Sequence, residues 1–228
     1  MAAVNPGEEH PLPRPVPPLD PAPAAGARIV LIGPPAAGKS TIGRLLAVRL
    51  GLPLYDTDAL IVAAHGPIPE IFASRGEARF RSIEREVVRK TLRRLLDEPA
   101  VVSLGGGAIL NSGTRAQLRH PALKVVGIDI DADTAATRLR GSSRPLLAGD
   151  EDPVARWQQL VDERRPLYDG ASTITVMAAH GPPSTVVNRI VDQLTGLQRA
   201  EEYARYQDIP SKEGRDDDPA GVERRTDA

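Results

Sequence analysis

Gly33, Gly38, Lys39 and Ser40 stand at the spacing G-x-x-x-x-G-K-S, within Gly33-Pro34-Pro35-Ala36-Ala37-Gly38-Lys39-Ser40-Thr41. Residues of these types at this spacing hold phosphate. Glycine lets a short loop curl so that backbone N–H groups point inward at phosphate oxygens. A helix beginning at the end of the loop adds the partial positive charge of its N-terminus. Lysine at the seventh position reaches the β- and γ-phosphates of a nucleoside triphosphate, and the following hydroxyl sits on Mg²⁺. Residues 33–41 are therefore the expected nucleotide contacts and Ser40 the expected metal ligand. The motif names a ligand and leaves the reaction open.

Such a loop needs a strand before it and a helix after it. The apolar run Arg28–Ile32 supplies the strand. Lys39–Leu50 supplies the helix, with Ile42, Leu45, Leu46 and Leu50 on one face and Gly51 as its C-cap. Leu52–Tyr55 reads as a short second strand ending at Asp56-Thr57-Asp58. Glu77–Leu96 reads as a long helix with Phe80, Ile83, Val87, Val88, Leu92 and Leu95 at helical spacing. Ala100–Leu104 is a buried strand running into Gly105-Gly106-Gly107, and Leu123–Ile130 another, with Asp131 an N-cap for the helix that follows. Residues 141–152 have loop composition, and Asp152-Pro153 reads as N-cap and first helical residue. Thr173–Met177 and Ser184–Leu197 are the last strand and helix. Strands alternating with helices predict an α/β fold, a parallel sheet covered on both faces, with phosphate at the carboxyl ends of the strands.

Composition narrows the partners. A formal charge of -1 argues against bulk binding to nucleic acid or an anionic membrane. The chain has no Cys, so disulfides and thiolate metal sites are excluded. No apolar run approaches membrane-spanning length, and the Pro-rich N-terminus lacks a signal-peptide pattern, which predicts a cytoplasmic protein. Residues 1–27 are rich in Pro, Ala and Gly and read as a disordered arm. Residues 28–196 form the expected domain. Residues 197–228 carry nine acidic and six basic side chains and read as a helix extension over Glu201–Tyr206, then a charged tail.

Five further motifs follow the loop in order: Leu54-Tyr55-Asp56-Thr57-Asp58, Gly76-Glu77-x-x-Phe80-Arg81-x-x-Glu84, Ser103-Leu104-Gly105-Gly106-Gly107-Ala108, Arg144-Pro145-Leu146-Leu147 and Arg164-Arg165-Pro166-Leu167-Tyr168. In register with the phosphate loop, this set resembles the shikimate kinase family over residues 28 to 195. The resemblance implies a five-stranded parallel sheet of the nucleoside monophosphate kinase type. It also implies a substrate-binding region near 57–97, a mobile lid near 140–153 and a monomer. The implied reaction moves the γ-phosphoryl group of ATP, with Mg²⁺, to the 3-hydroxyl of shikimate.

By the same resemblance, Asp58 accepts a hydrogen bond from the attacking hydroxyl; Asp also suits a helix N-cap at that place. Asp56 partners Mg²⁺ or its waters, or is a turn residue, and Ser103 reaches a metal-bound water. Arg81 and Arg164 grip the substrate carboxylate, with Glu84 holding Arg81 in place. Arg164 is chosen over Arg165 because the family pattern is Arg-x-Pro-Leu-Tyr. Gly105, Gly106 and Gly107 let the backbone approach the substrate ring. Arg144 swings over the nucleotide to meet the transferring phosphoryl. Arg138 stacks on adenine or is an exposed helix arginine, and the loop 178–183 borders adenine.

One departure from the family pattern stands inside the phosphate loop, where Ala36 replaces a frequent glycine. A positive φ there costs alanine on the order of 1 kcal/mol. Two other readings compete: a same-fold kinase of another hydroxy acid such as gluconate, or of a nucleotide, and a nucleotide-binding module without catalysis. Gluconate kinases share the phosphate loop but not the Asp-Thr-Asp, triple-glycine and two-arginine set.

Overall fold

A computed structural model describes residues 26–139, 152–179 and 181–207. Arg144, nearly all of the expected lid, residue 180, residues 1–25 and residues 208–228 lie outside the described residues. Five strands, β1 (Arg28–Ile32), β2 (Leu54–Asp56), β3 (Ala100–Ser103), β4 (Lys124–Asp129) and β5 (Ile174–Met177), form one sheet in the order β2-β3-β1-β4-β5. Every neighbouring pair is parallel, with Val30 opposite both Val102 and Val125, and Asp56 opposite Ser103. The central strand is apolar on both faces because helices cover both.

The helices among the described residues are α1 (Lys39–Leu50), α2 (Thr57–His65), α3 (Ile68–Asp97), α4 (Ser112–Leu118), α5 (Ala132–Leu139), α6 (Pro153–Asp169) and α7 (Pro183–Gln207), with a 3₁₀ turn at Ala108–Leu110. On one face Ile42 and Leu46 of α1, Leu139 of α5, Trp157 and Val161 of α6 and Ile190 of α7 pack on Leu31, Val126 and Ile128. On the other, Val88, Leu92 and Leu95 of α3 pack on Val30, Val102 and Val125. A third, small cluster of Ile61, Ile71, Phe80 and Ile83 joins α2 to the first half of α3 and stands apart from the sheet. The crossover after β1 leads toward the β2 edge and that after β3 toward the β5 edge, so the loop after β1 opens at the switch point where such sheets bind ligands.

Several boundaries differ from the expectation. Strand β2 begins two residues later than Leu52, which makes Asp56 the N-cap of α2: its Oδ1 accepts from Ala59 N at 3.1 Å. Asp58 is therefore a first-turn residue and not the cap. Helix α2 and the start of α3 were not legible, because their apolar residues pack into a satellite cluster and show only a short period. Gly76, at φ 74, breaks α3 where the expected helix began. Helix α6 runs on through Pro166 to Asp169, so Arg164 and Tyr168 share one helical face. Leu45, expected on the buried side of α1, is exposed, and Gly43 and Ala47 take that side instead.

Candidate functional site: a cleft over the phosphate loop

The phosphate loop is shaped by its glycines. Gly33 has φ 145 and lies so close to the Ile128 carbonyl that a Cβ would collide with it. Gly38 is left-handed, at φ 86, just before α1 begins. Ala36 also has a left-handed φ, 66. It is the non-glycine residue with positive φ among those described, so the departure noted in the sequence falls on a position that favours glycine. Lys39 is buried, and its ammonium donates to the carbonyls of Gly33 and Pro34 at 2.9 Å each, curled over the loop it is expected to serve. Ser40 and Thr41 open α1 and are exposed to the cleft.

Above the loop lies an open cleft of about 720 Å³ lined by Lys39, Asp58, Arg81, Glu84, Arg138 and Arg164, among others. Residues far apart in sequence meet there because the ends of β1, β2 and β3 converge. The three glycines after β3 show how tightly. A Cβ on Gly105 would lie 2.5 Å from Asp58 Oδ1 and 3.0 Å from Glu84 Oε1. One on Gly106 would press on Pro35 at 3.2 Å, and one on Gly107 would run into the Arg81 guanidinium. The glycines are thus the floor on which the phosphate loop, the Asp58 carboxylate and Arg81 rest, and any side chain there would push one of them away.

Arg81 is half-buried; its Nη1 donates to Glu84 Oε2 at 2.7 Å and its Nη2 to Glu77 Oε1 at 3.2 Å. Glu84 is buried, and burial pushes its carboxyl above the usual range, with the Asp58 charge pushing the same way and Arg81 and Arg164 opposing. Arg164 is buried as well and donates to Gly106 O at 3.3 Å, while Tyr168, one turn on, donates its hydroxyl to the same carbonyl at 2.7 Å. Burial raises the Tyr168 phenol to about 12, so it stays a donor. Arg165, adjacent in sequence, faces elsewhere and pairs with Asp129 at 2.8 Å. Arg138 bridges the phosphate loop and the segment after β5, donating to Ala36 O, Ala37 O and Ala178 O.

Two oxygens bear on a metal. Asp56 Oδ2 is buried with no hydrogen-bond partner, and Ser103, its register partner, is buried in the cleft floor. Among the described residues no group of three or more His, Cys, Asp or Glu could hold a metal by itself. Asp56 stands opposite Ser103, which borders the cleft, and hard oxygens of this kind fit Mg²⁺, which keeps its waters and takes its remaining ligands from phosphate. Sequence reasoning missed Thr57, whose buried hydroxyl donates to Ser103 O at 3.2 Å and accepts from Gly105 N at 3.0 Å, tying β2 to the glycine floor. It also gave Tyr168 and Trp157 no part; the position of Tyr168 inside the Arg-x-Pro-Leu-Tyr motif was the available signal.

The strand order β2-β3-β1-β4-β5, with a G-x-x-x-x-G-K-S loop at its switch point and guanidiniums and carboxylates across the cleft, is that of a P-loop kinase of the nucleoside monophosphate kinase type. Comparisons with known proteins agree. The family model described as shikimate kinase matches residues 35–195. The shikimate kinase of Rhodococcus erythropolis (strain PR4 / NBRC 100887) is 46% identical over 169 residues, which is 73% of this chain and 96% of that protein. That of Thermobifida fusca (strain YX) is 44% identical over 167 residues, 72% of this chain and 93% of that one. The solved shikimate kinase from Acinetobacter baumannii in complex with shikimate superposes with a TM-score of 0.69 at 32% identity, covering 74% of this chain and 92% of the other. The chain belongs to the shikimate kinase family.

Proposed function

We infer that the chain catalyses transfer of the γ-phosphoryl group of ATP to the 3-hydroxyl of shikimate, giving shikimate 3-phosphate and ADP, a step of aromatic amino-acid biosynthesis. The observation that carries the residue roles is the glycine floor, which sets Asp58, Glu84 and Arg81 around one point facing the Lys39 loop.

Residues 33–41 cradle the triphosphate, and Lys39 exchanges its two loop carbonyls for β- and γ-phosphate oxygens. Arg81 and Arg164 converge on the edge of the glycine floor and hold the shikimate carboxylate. Glu84 fixes the Arg81 fork, and the Gly106 carbonyl fixes Arg164. The acceptor hydroxyl then faces Asp58, which orients it and takes its proton as the new O–P bond forms and the bond to the ADP oxygen breaks. Ser40, and through water Asp56 and Ser103, would hold Mg²⁺, which would supply neutralisation of the triphosphate charge. Arg138 lies between the phosphate loop and the adenine side of the cleft. Arg144 meets the transferring phosphoryl, a role that rests on its motif.

A coupled ADP-release assay over shikimate, gluconate and nucleoside monophosphates tests the reading. ADP release with shikimate is expected. Turnover with another acceptor only would replace the substrate, and ATP binding without acceptor-dependent turnover would leave a non-catalytic module.

A further inference from the structure

The phosphate loop is gripped from behind by side chains outside its motif. Trp157, the only tryptophan of the chain, is 1% exposed and donates its indole N–H to Pro35 O at 2.9 Å. Arg138 Nη1 donates to the next two carbonyls, Ala36 O and Ala37 O, at 3.2 Å each. Three consecutive loop carbonyls are thus held by α5 and α6. The grip matters because of what the loop is made of. Pro34 and Pro35 have no N–H, so Ala36 is the first donor the loop offers beyond Gly33. Ala36 also has φ 66, a conformation that any residue with a Cβ resists.

A peptide unit is planar, and no peptide bond among the described residues is cis. Fixing the Pro35 carbonyl toward Trp157 therefore fixes the Ala36 N–H in the opposite direction, away from the core. We propose that Trp157 is a positioning residue for the nucleotide: its indole N–H locks the Pro35–Ala36 peptide so that the Ala36 N–H is presented to phosphate despite two prolines and a left-handed alanine. The inference rests on the reading of residues 33–41 as a nucleotide loop. It makes Trp157 a determinant of ATP affinity with no part in holding shikimate. Packing alone would not require an indole nitrogen, since Trp157 fills the core beside Leu160 and Val161 as any large apolar ring would.

The test uses the full chain. Trp157→Phe keeps the ring and removes the donor, leaving a buried carbonyl unpaired. Calorimetry with ADP and Mg²⁺, and steady-state kinetics with each substrate, should show ADP affinity weakened and the KM for ATP raised, both about tenfold, with the KM for shikimate within about twofold of wild type. Ala36→Gly in the Trp157→Phe background should recover most of the loss, because glycine holds the turn unaided. In the unaltered chain, ADP with Mg²⁺ should shift the emission of Trp157 saturably, a readout that stands even if Trp157→Phe fails to fold. Unchanged emission on ADP binding, wild-type ADP affinity in Trp157→Phe, equal losses for both substrates, or no recovery with Ala36→Gly would each overturn the inference. A wild-type chain that binds no ADP would overturn the nucleotide reading itself, and the calorimetry separates that case from the others.

Discussion

Gly105→Ala separates the placement of Asp58 from its chemistry. Gly105 does not have a positive φ, so its backbone accepts alanine without strain. The new Cβ would lie 2.5 Å from Asp58 Oδ1, and ordinary contact begins at 3.4 Å, so the carboxylate must retreat by 3.4 − 2.5 = 0.9 Å. It cannot do so freely, because Glu84 Oε1 lies 3.0 Å from the same Cβ. Misplacing a reacting group by about 1 Å costs about 10²-fold in rate, or about 2.7 kcal/mol. The expected result in a coupled ADP-release assay is a kcat about 100-fold lower, with the KM for ATP within about twofold, since the atoms nearest the new Cβ belong to Asp58 and Glu84, whereas those nearest a Cβ on Gly106 belong to Pro35 of the phosphate loop. Asp58→Asn should lower kcat far more than it raises the shikimate KM. Gly105→Ala added to Asp58→Asn should then cost little more, because the group it displaces is already disabled. Gly76→Ala is the control: a Cβ there meets nothing within 4 Å, but φ is +74, so it should lose about 1–2 kcal/mol of stability and leave kcat in place. A Gly105→Ala enzyme with kcat within about threefold of wild type, or one that loses the same factor with and without the Asp58 carboxylate, would refute the reasoning.

Four other substitutions bear on the cleft. Arg81→Ala and Arg164→Ala should each raise the KM for shikimate about 10- to 100-fold, the worth of a charge-assisted hydrogen bond of about 1.5–3 kcal/mol, while the KM for ATP stays near wild type; a rise confined to ATP would misplace the carboxylate grip. Ala36→Gly should raise stability by about 0.5–1 kcal/mol, the left-handed cost of alanine less the entropy glycine adds to the unfolded chain, and thermal denaturation measures it. Glu84→Gln should change the pH dependence of stability. Burial raises the Glu84 pKa in the folded state, so the wild type gains most from this residue below the ordinary value of 4.5 and loses that gain as pH rises through the folded pKa. The stability of Glu84→Gln relative to wild type should therefore rise from pH 4 toward neutrality, and urea titrations at several pH values would show the opposite trend if Arg81 outweighed burial.

Local patterns carried much of this molecule. Arg28–Ile32 is uniformly apolar because it is buried on both faces, and its junction with G-x-x-x-x-G-K-S left little choice of topology. Asp131, Asp152 and Gly51 announced helix ends through capping chemistry that acts over three or four residues: Asp131 Oδ1 accepts from Thr134 N, Asp152 Oδ1 from Val154 N, and Gly51 is left-handed. Asp58, Arg81, Arg164 and the three glycines were named through the resemblance of their motifs to the shikimate kinase family; by residue type alone Arg81 is one more arginine on a basic helix and Asp58 a helix cap. What those motifs could not say is which atoms meet. The N-cap passed from Asp58 to Asp56 because β2 starts where it pairs with β3, a register set across the sheet. Arg164 rather than Arg165 faces the cleft because α6 continues through Pro166 and turns Tyr168 onto the same carbonyl. Trp157 reaches Pro35 across 122 positions of chain, a contact with no local signature at all. Sequence determines what is set by neighbours along the chain: turns, caps, strand burial and the identity of the phosphate loop. The tertiary fold alone decides which distant side chains share a low-dielectric cleft, because only packing brings their charges and hydrogen bonds within a few ångströms of one another.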